Sequence, residues 1–236
     1  MKVANETGQL LSAEQLFQHV LSRAPRVAAF DCDGTLWSVD AGRGFFVWEV
    51  QSGFLPRATS ERMKERYELY RGGDVGEIEI CGEMVACHAG LREDELVAAC
   101  REFASTQIVP HIFPEMLQLA RRLSEEGVQI WAVTSTWSWI VREALHAFGI
   151  DPQRVLGVEI AMRDGIATDQ LLAVPSGPMK AAALENAGIR VDAAFGNSIH
   201  DLQMLEAARQ PYAINPNRDL QSIAVERRWP IYQPEQ

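Results

Sequence analysis

The chain has 236 residues, 47% of them hydrophobic and 23% charged, with a formal net charge of -10. This is enough chain for a sizeable core in one domain with a large insertion or in two small domains. The acidic balance argues against a nucleic-acid surface, which needs clustered Lys and Arg to meet phosphates.

The opening residues lack the basic-then-apolar order of a secretory leader, and nowhere do eighteen apolar residues run together. A cytoplasmic location without a membrane partner is therefore expected. Cys32, Cys81, Cys87 and Cys100 form no CxxC pair and no zinc-like spacing with His, so reduced thiols are expected.

In chain order, "SAEQLFQHVLSR" predicts an opening helix with Ser12 as N-cap and Gln15 closing a capping box. Val27 to Phe30 follow as a short apolar run without helical period, the pattern of a buried strand, and Asp31 marks its carboxyl end. Between Trp37 and Pro110 no comparable strand appears, and the segment reads as three or four helices. From Ile112 onward helix, glycine and apolar strand repeat, with stops at Gly127, Gly149 and Gly188. "PYAINPN" predicts one more short strand, followed by the helix of "RDLQSIAVERR". The repeat predicts an α/β fold, a Rossmann-like parallel sheet with helices on both faces, interrupted by a helical insertion.

Parallel sheets bind ligands beyond the carboxyl ends of their strands. Four segments place polar residues there: Asp31 and Asp33 in "FDCDGTLW", Thr134 in "WAVTST", Lys180 in "SGPMK", and Asn197 with Asp201 in "FGNSIHDLQML". In extended chain, residues i and i+2 share a face about 6 to 7 Å apart, so Asp31 and Asp33 can reach one pocket and do different work. Gly34 permits the turn that follows, and Thr35 can hold it.

These pieces, in this order, resemble the haloacid dehalogenase superfamily of phosphatases: its DxDGT motif, its strand-terminal Ser/Thr, its Lys and its acidic GDxxxD loop. The resemblance covers roughly Arg26 to Trp37 and Ile112 to Asn217, and it implies a core of residues 1–36 and 111–236 with a helical cap of residues 37–110. It implies hydrolysis of a small-molecule phosphomonoester through an aspartyl-phosphate. Asp31 would be the nucleophile, Asp33 the general acid and base, and Thr134 a donor to phosphate. Lys180 would neutralise charge, and Gly34, Thr35 and Ser135 would lie on the substrate side. Two carboxylates cannot readily share a pocket with a phosphate dianion without a cation. The resemblance implies Mg²⁺, held by Asp31, the carbonyl of Asp33, Asn197 and Asp201.

One position departs from the pattern: Asn197 stands where most relatives carry an acid, so weaker Mg²⁺ binding is expected. The helical insert and the "INPN" ending resemble the phosphoserine phosphatase branch, in which a Glu near the offset of Asp40 holds the substrate amine. The stretch "DVGEIEICGEM" has no basic residue to grip a serine carboxylate, whereas Trp37, Phe45, Phe46 and Trp48 near Asp40 suit an amine or, more simply, form cap core. His200 is expected to be exposed rather than catalytic. Competing readings are a haloacid dehalogenase, which needs neither the metal nor Asp33, a phosphomutase, and a non-catalytic binding protein on the same fold.

Overall fold

A computed structural model describes residues 10–235. Its centre is an eight-stranded sheet in the order β1-β8-β7-β6-β2-β3-β4-β5. The strands are β1 (Leu10–Leu11), β2 (Val27–Phe30), β3 (Gln129–Trp137), β4 (Val155–Arg163), β5 (Ile166–Ala173), β6 (Ala193–Gly196), β7 (Gln210–Ile214) and β8 (Ile231–Tyr232). All neighbours run parallel except β4 and β5, which form an antiparallel hairpin.

Strand β2 is central and covered on both faces. Successive side chains alternate sides, so Ala28 and Phe30 join one apolar cluster and Ala29 joins the other, all at 0% exposure. Phe30 stacks on Phe195 with ring centroids 4.2 Å apart, and Phe195 on Tyr212 at 4.8 Å, which ties β2, β6 and β7 together on one face.

The helices that flank the sheet are α1 (Ala13–Leu21), α6 (Pro114–Glu125), α7 (Ser138–Leu145), α8 (Pro178–Asn186), α9 (Leu202–Ala207) and α10 (Arg218–Glu226). The Ser12–Gln15 capping box is formed at the start of α1, and Gly127, Gly149 and Gly188 all take positive φ just past their helices.

Between β2 and β3 lie four helices, α2 (Ala41–Ser52), α3 (Arg57–Gly72), α4 (Glu77–Ala86) and α5 (Glu93–Phe103), followed by a π-helical turn at Ala104–Ile108. The chain leaves and re-enters the sheet layer at one place, where Ser38 N–H donates to His111 O and Phe113 N–H to Leu36 O. The β4–β5 hairpin buttresses this insertion: Gly90 N–H donates to Ala167 O, Ala167 N–H to Leu91 O, and Glu93 N–H to Gly165 O. Sequence patterning missed the hairpin and the two-residue strands β1 and β8.

Candidate active site

The end of β2 is pinned by its neighbour, since Asp31 N–H donates to Phe195 O at 2.9 Å. The chain then turns sharply: Gly34 N–H donates to Trp37 O, and Gly34 sits at φ +77°, a conformation that L side chains rarely adopt. This turn aims two carboxylates into one region and gives each its own partners. Asp31, 4% exposed, accepts Lys180 Nζ on Oδ1 at 2.6 Å and Thr35 Oγ1 on Oδ2 at 2.8 Å. Asp33 accepts Trp37 Nε1 on Oδ1 and Thr136 Oγ1 on Oδ2, both at 2.6 Å.

Lys180, in the first turn of α8, is 2% exposed and also donates to Asp201 Oδ1 at 2.6 Å. The other oxygen of Asp201 accepts the N–H groups of Asn197 and Ser198 at 3.0 Å each, so Asp201 shapes the loop that follows β6. Gly196 makes room for it, because a Cβ there would lie 2.6 Å from Asp201 Cβ. Asn197 in turn packs against Gly34, its Nδ2 only 1.9 Å from where a Cβ on Gly34 would stand.

These contacts set the electrostatics. Burial, reinforced by the charge of Asp201, pushes Asp31 up to about 7 against the opposing pull of Lys180. Burial and then the charge of Asp40 push Asp33 up to about 6, against hydrogen bonds from Thr136, Trp37 and the Ala41 backbone. Lys180 is raised above its ordinary value, because Asp201 and Asp31 outweigh the burial that opposes its charge.

A cavity of about 220 Å³ lies between the strand ends and the helical insertion. Asp31, Asp33, Ser135, Lys180 and Asn197 line it from the sheet side, and Asp40 from the start of α2. Four other expected residues stand behind this wall. Gly34 forms the turn, Thr35 is 0% exposed against Asp31, Asp201 holds the loop, and Thr134 Oγ1 accepts Thr136 N–H at 3.1 Å. Asp40 also caps α2, accepting Arg43 N–H at 2.9 Å.

The insertion contributes lining residues that sequence reading did not single out. Arg43 supplies a positive charge from α2 rather than from the stretch around α4. Glu77, at the start of α4, accepts Ser176 Oγ at 2.5 Å and lies 2.5 Å from His200 Nε2. His200 is therefore half-buried, not simply exposed, and its pKa is raised chiefly by the hydrogen bond to Glu77. Glu49 and His88 form a buried pair at 2.6 Å. Burial works against a charge on His88, yet the Cys87 thiol and the Glu49 carboxylate together raise it to about 10. Phe45 and Phe46 serve both as core and as cavity wall, whereas Trp37 is wholly buried and spends its N–H on Asp33.

Among known proteins, the family model described as haloacid dehalogenase-like hydrolase matches residues 28–206. A histidinol-phosphatase of Neisseria meningitidis is 26% identical over 87% of this chain and 97% of its own. A phosphoserine phosphatase of Mycobacterium tuberculosis is 30% identical over 86% of this chain and 69% of its own. A crystal structure of a protein of unknown function from Bordetella pertussis shares the fold, with a TM-score of 0.76, 24% identity, and coverage of 88% of this chain and 97% of that one. With the family model spanning the strand that carries Asp31 and the loop that carries Asn197, this chain belongs to the haloacid dehalogenase-like hydrolases, as a phosphatase of the phosphoserine phosphatase-like branch.

Proposed function

We propose that this phosphatase hydrolyses a small-molecule phosphomonoester by passing the phosphoryl group through Asp31. The observation that carries this reading is the position of Asp31, buried at a strand end with Lys180 and Thr35 each holding one of its oxygens. In the first half-reaction a carboxylate oxygen of Asp31 bonds to phosphorus while the bond to the leaving oxygen breaks. Asp33 gives its proton to that oxygen. In the second, Asp33 takes a proton from water, the water oxygen bonds to phosphorus, and the Asp31 carboxylate is released with inorganic phosphate. A carboxyl raised to about 6 is suited to both duties near neutral pH. Splitting the displacement this way lets one pocket serve both steps.

Two buried carboxylates, Asp31 and Asp201, and the half-buried Asp33 face one lysine, an imbalance that a divalent cation would correct. No group of three or more His, Cys, Asp or Glu suited to a metal is found among the described residues. The fitting donors are instead the Asp31 carboxylate, the Asp33 carbonyl and the Asn197 amide oxygen, all hard oxygens, and Mg²⁺ commonly uses few protein ligands and keeps several waters. Asp201 would act on this set by holding the loop. The ion would offset the negative charge of nucleophile and phosphate.

We divide the protein into a core of residues 1–36 and 111–236 and a cap of residues 37–110, with the cap choosing the leaving group. A cavity of about 220 Å³ suits a small substrate. Aromatic walls beside Asp40 and Glu77 favour an alcohol bearing an ammonium group. The fixed geometry of Asp33 supports phosphate chemistry over dehalogenation, which has no use for it.

The test is a panel of phosphomonoesters with and without Mg²⁺, with Asp31→Asn as control. Phosphate release that needs the ion and falls by about 10³-fold or more in the variant is expected. Undiminished release by Asp31→Asn would overturn the assignment.

A further inference from the structure

At its insertion end the cavity closes on a pair that hydrolysis does not use. Glu49 on α2 and His88, just past α4, each have side chains 1% exposed, and Glu49 Oε1 lies 2.6 Å from His88 Nε2. The other ring nitrogen, Nδ1, is 2.9 Å from the Val85 carbonyl. A carbonyl only accepts, so Nδ1 carries a hydrogen, and one further proton shared across the Glu49 contact leaves the pair with no net charge.

One oxygen of Glu49 is thereby engaged, while no protein donor reaches Oε2 among the described residues. Glu49 lines the cavity, so Oε2 is left to accept a donor from whatever occupies it. Trp137 stands on the same wall at 2% exposure, its ring 4.7 Å from that of His88, and its Nε1–H has no acceptor among the described residues. Phe45 is tilted toward both, with centroids 6.0 Å from His88 and 6.3 Å from Trp137. All four residues line the cavity. The wall thus offers one unused acceptor and one unused donor, set among packed aromatic rings.

We propose that Glu49, His88, Trp137 and Phe45 form a subsite for the far end of the leaving group, and that it takes an uncharged flat ring bearing an N–H, of the imidazole class. The ring N–H would meet Glu49 Oε2, and the ring lone pair would meet Trp137 Nε1. His88 already neutralises Glu49, so a second cation brought here would lose hydration for no net attraction. An ammonium is better served at Asp40, whose carboxylate caps α2 and makes no ion pair among the described residues. Trp137 is itself stacked between His88 and Trp139, with centroids 4.7 and 5.1 Å away, so a ring bound here would meet the aromatic wall at its edges. The inference rests on the phosphatase reading, because it assigns part of the alcohol that leaves.

The experiment compares kcat/KM for L-histidinol phosphate, phosphoserine and phosphoethanolamine, and measures binding of phosphate-free L-histidinol by calorimetry, in the wild type, Glu49→Leu, which removes the acceptor, and Trp137→Phe. The imidazole ester is expected to exceed the other two by about tenfold or more. Each variant is expected to cut the ratio of imidazole ester to ethanolamine ester about tenfold and to weaken L-histidinol binding similarly, the effect of one hydrogen bond lost in a dry site. Trp137→Phe keeps the aromatic packing, so it decides the matter if Glu49→Leu fails to fold. Cleavage of all three esters alike, or ratios and binding unchanged in both variants, overturns the subsite and leaves the phosphatase reading intact. If no ester is cleaved but L-histidinol binding weakens in the variants, the phosphatase reading fails and the subsite stands.

Discussion

Two constraints meet at Gly34. Its φ of +77° strains any L side chain, and an added Cβ would displace Asn197, whose Nδ2 stands 1.9 Å away. Gly34→Ala should therefore lower unfolding stability by about 1 to 3 kcal/mol in a urea titration. It should also raise the Mg²⁺ concentration needed for half-maximal activity. Asn197 tests the same contact from the other side: Asn197→Asp restores a carboxylate to an oxygen ligand set, so less Mg²⁺ should be needed. An unchanged requirement in both variants would remove Asn197 from the metal site. At this scale the sequence was informative, because Asp31, Asp33, Lys180 and Asn197 sit in short motifs whose spacing along a strand end or a helix start already dictates where they point. Thr136 was missed because its partnership with Asp33 spans 103 residues, and no local pattern announces it.

Whole elements were legible where packing enforces a period. The capped helix α1, the buried strand β2 and the glycine stops after α6, α7 and α8 follow from burial on both faces of a parallel sheet. The β4–β5 hairpin escaped because β5 is an edge strand whose residues are largely exposed or half-buried, and Thr168, Asp169 and Gln170 interrupt its apolar residues, so no strand period stands out. Its turn was nonetheless readable: Asp164 and Gly165 both take positive φ, the conformation that an Asp-Gly pair favours in two-residue hairpins.

Helices α2 and α4 carry a pH prediction of their own through Glu49 and His88. The folded pKa of His88 is raised to about 10 from an ordinary 6.5. A base with a raised folded pKa stabilises fully below its unfolded value, and that contribution fades as pH climbs toward the folded one. The stability advantage of wild type over His88→Gln should thus be largest below pH 6.5 and shrink steadily toward pH 10, read from urea midpoints. A constant difference across that window would contradict an ionised pair.

Over the whole molecule, the site is shared between a sheet and an insertion that the sequence presents very differently. Strand ends bring together four distant motifs because a parallel sheet leaves them nowhere else to converge. The facing wall depends on which sides of α2, α3 and α4 turn inward. That is decided by packing against the sheet and the hairpin, so Arg43, Glu49, Glu77 and His88 gave no signal in isolation. The resulting enclosure leaves Asp31 only 4% exposed and Lys180 only 2% exposed, so the excess negative charge there is met by little water.

That enclosure makes the phosphoryl-accepting role of Asp31 the claim on which the rest depends, and it can be read directly. Enzyme mixed with a ³²P-labelled substrate ester and Mg²⁺, quenched in acid within one turnover and digested, should carry its label on the peptide containing Asp31, where borohydride reduction converts the acyl phosphate to homoserine. Label on any other residue, or steady release of phosphate with none ever bound at position 31, would contradict the account.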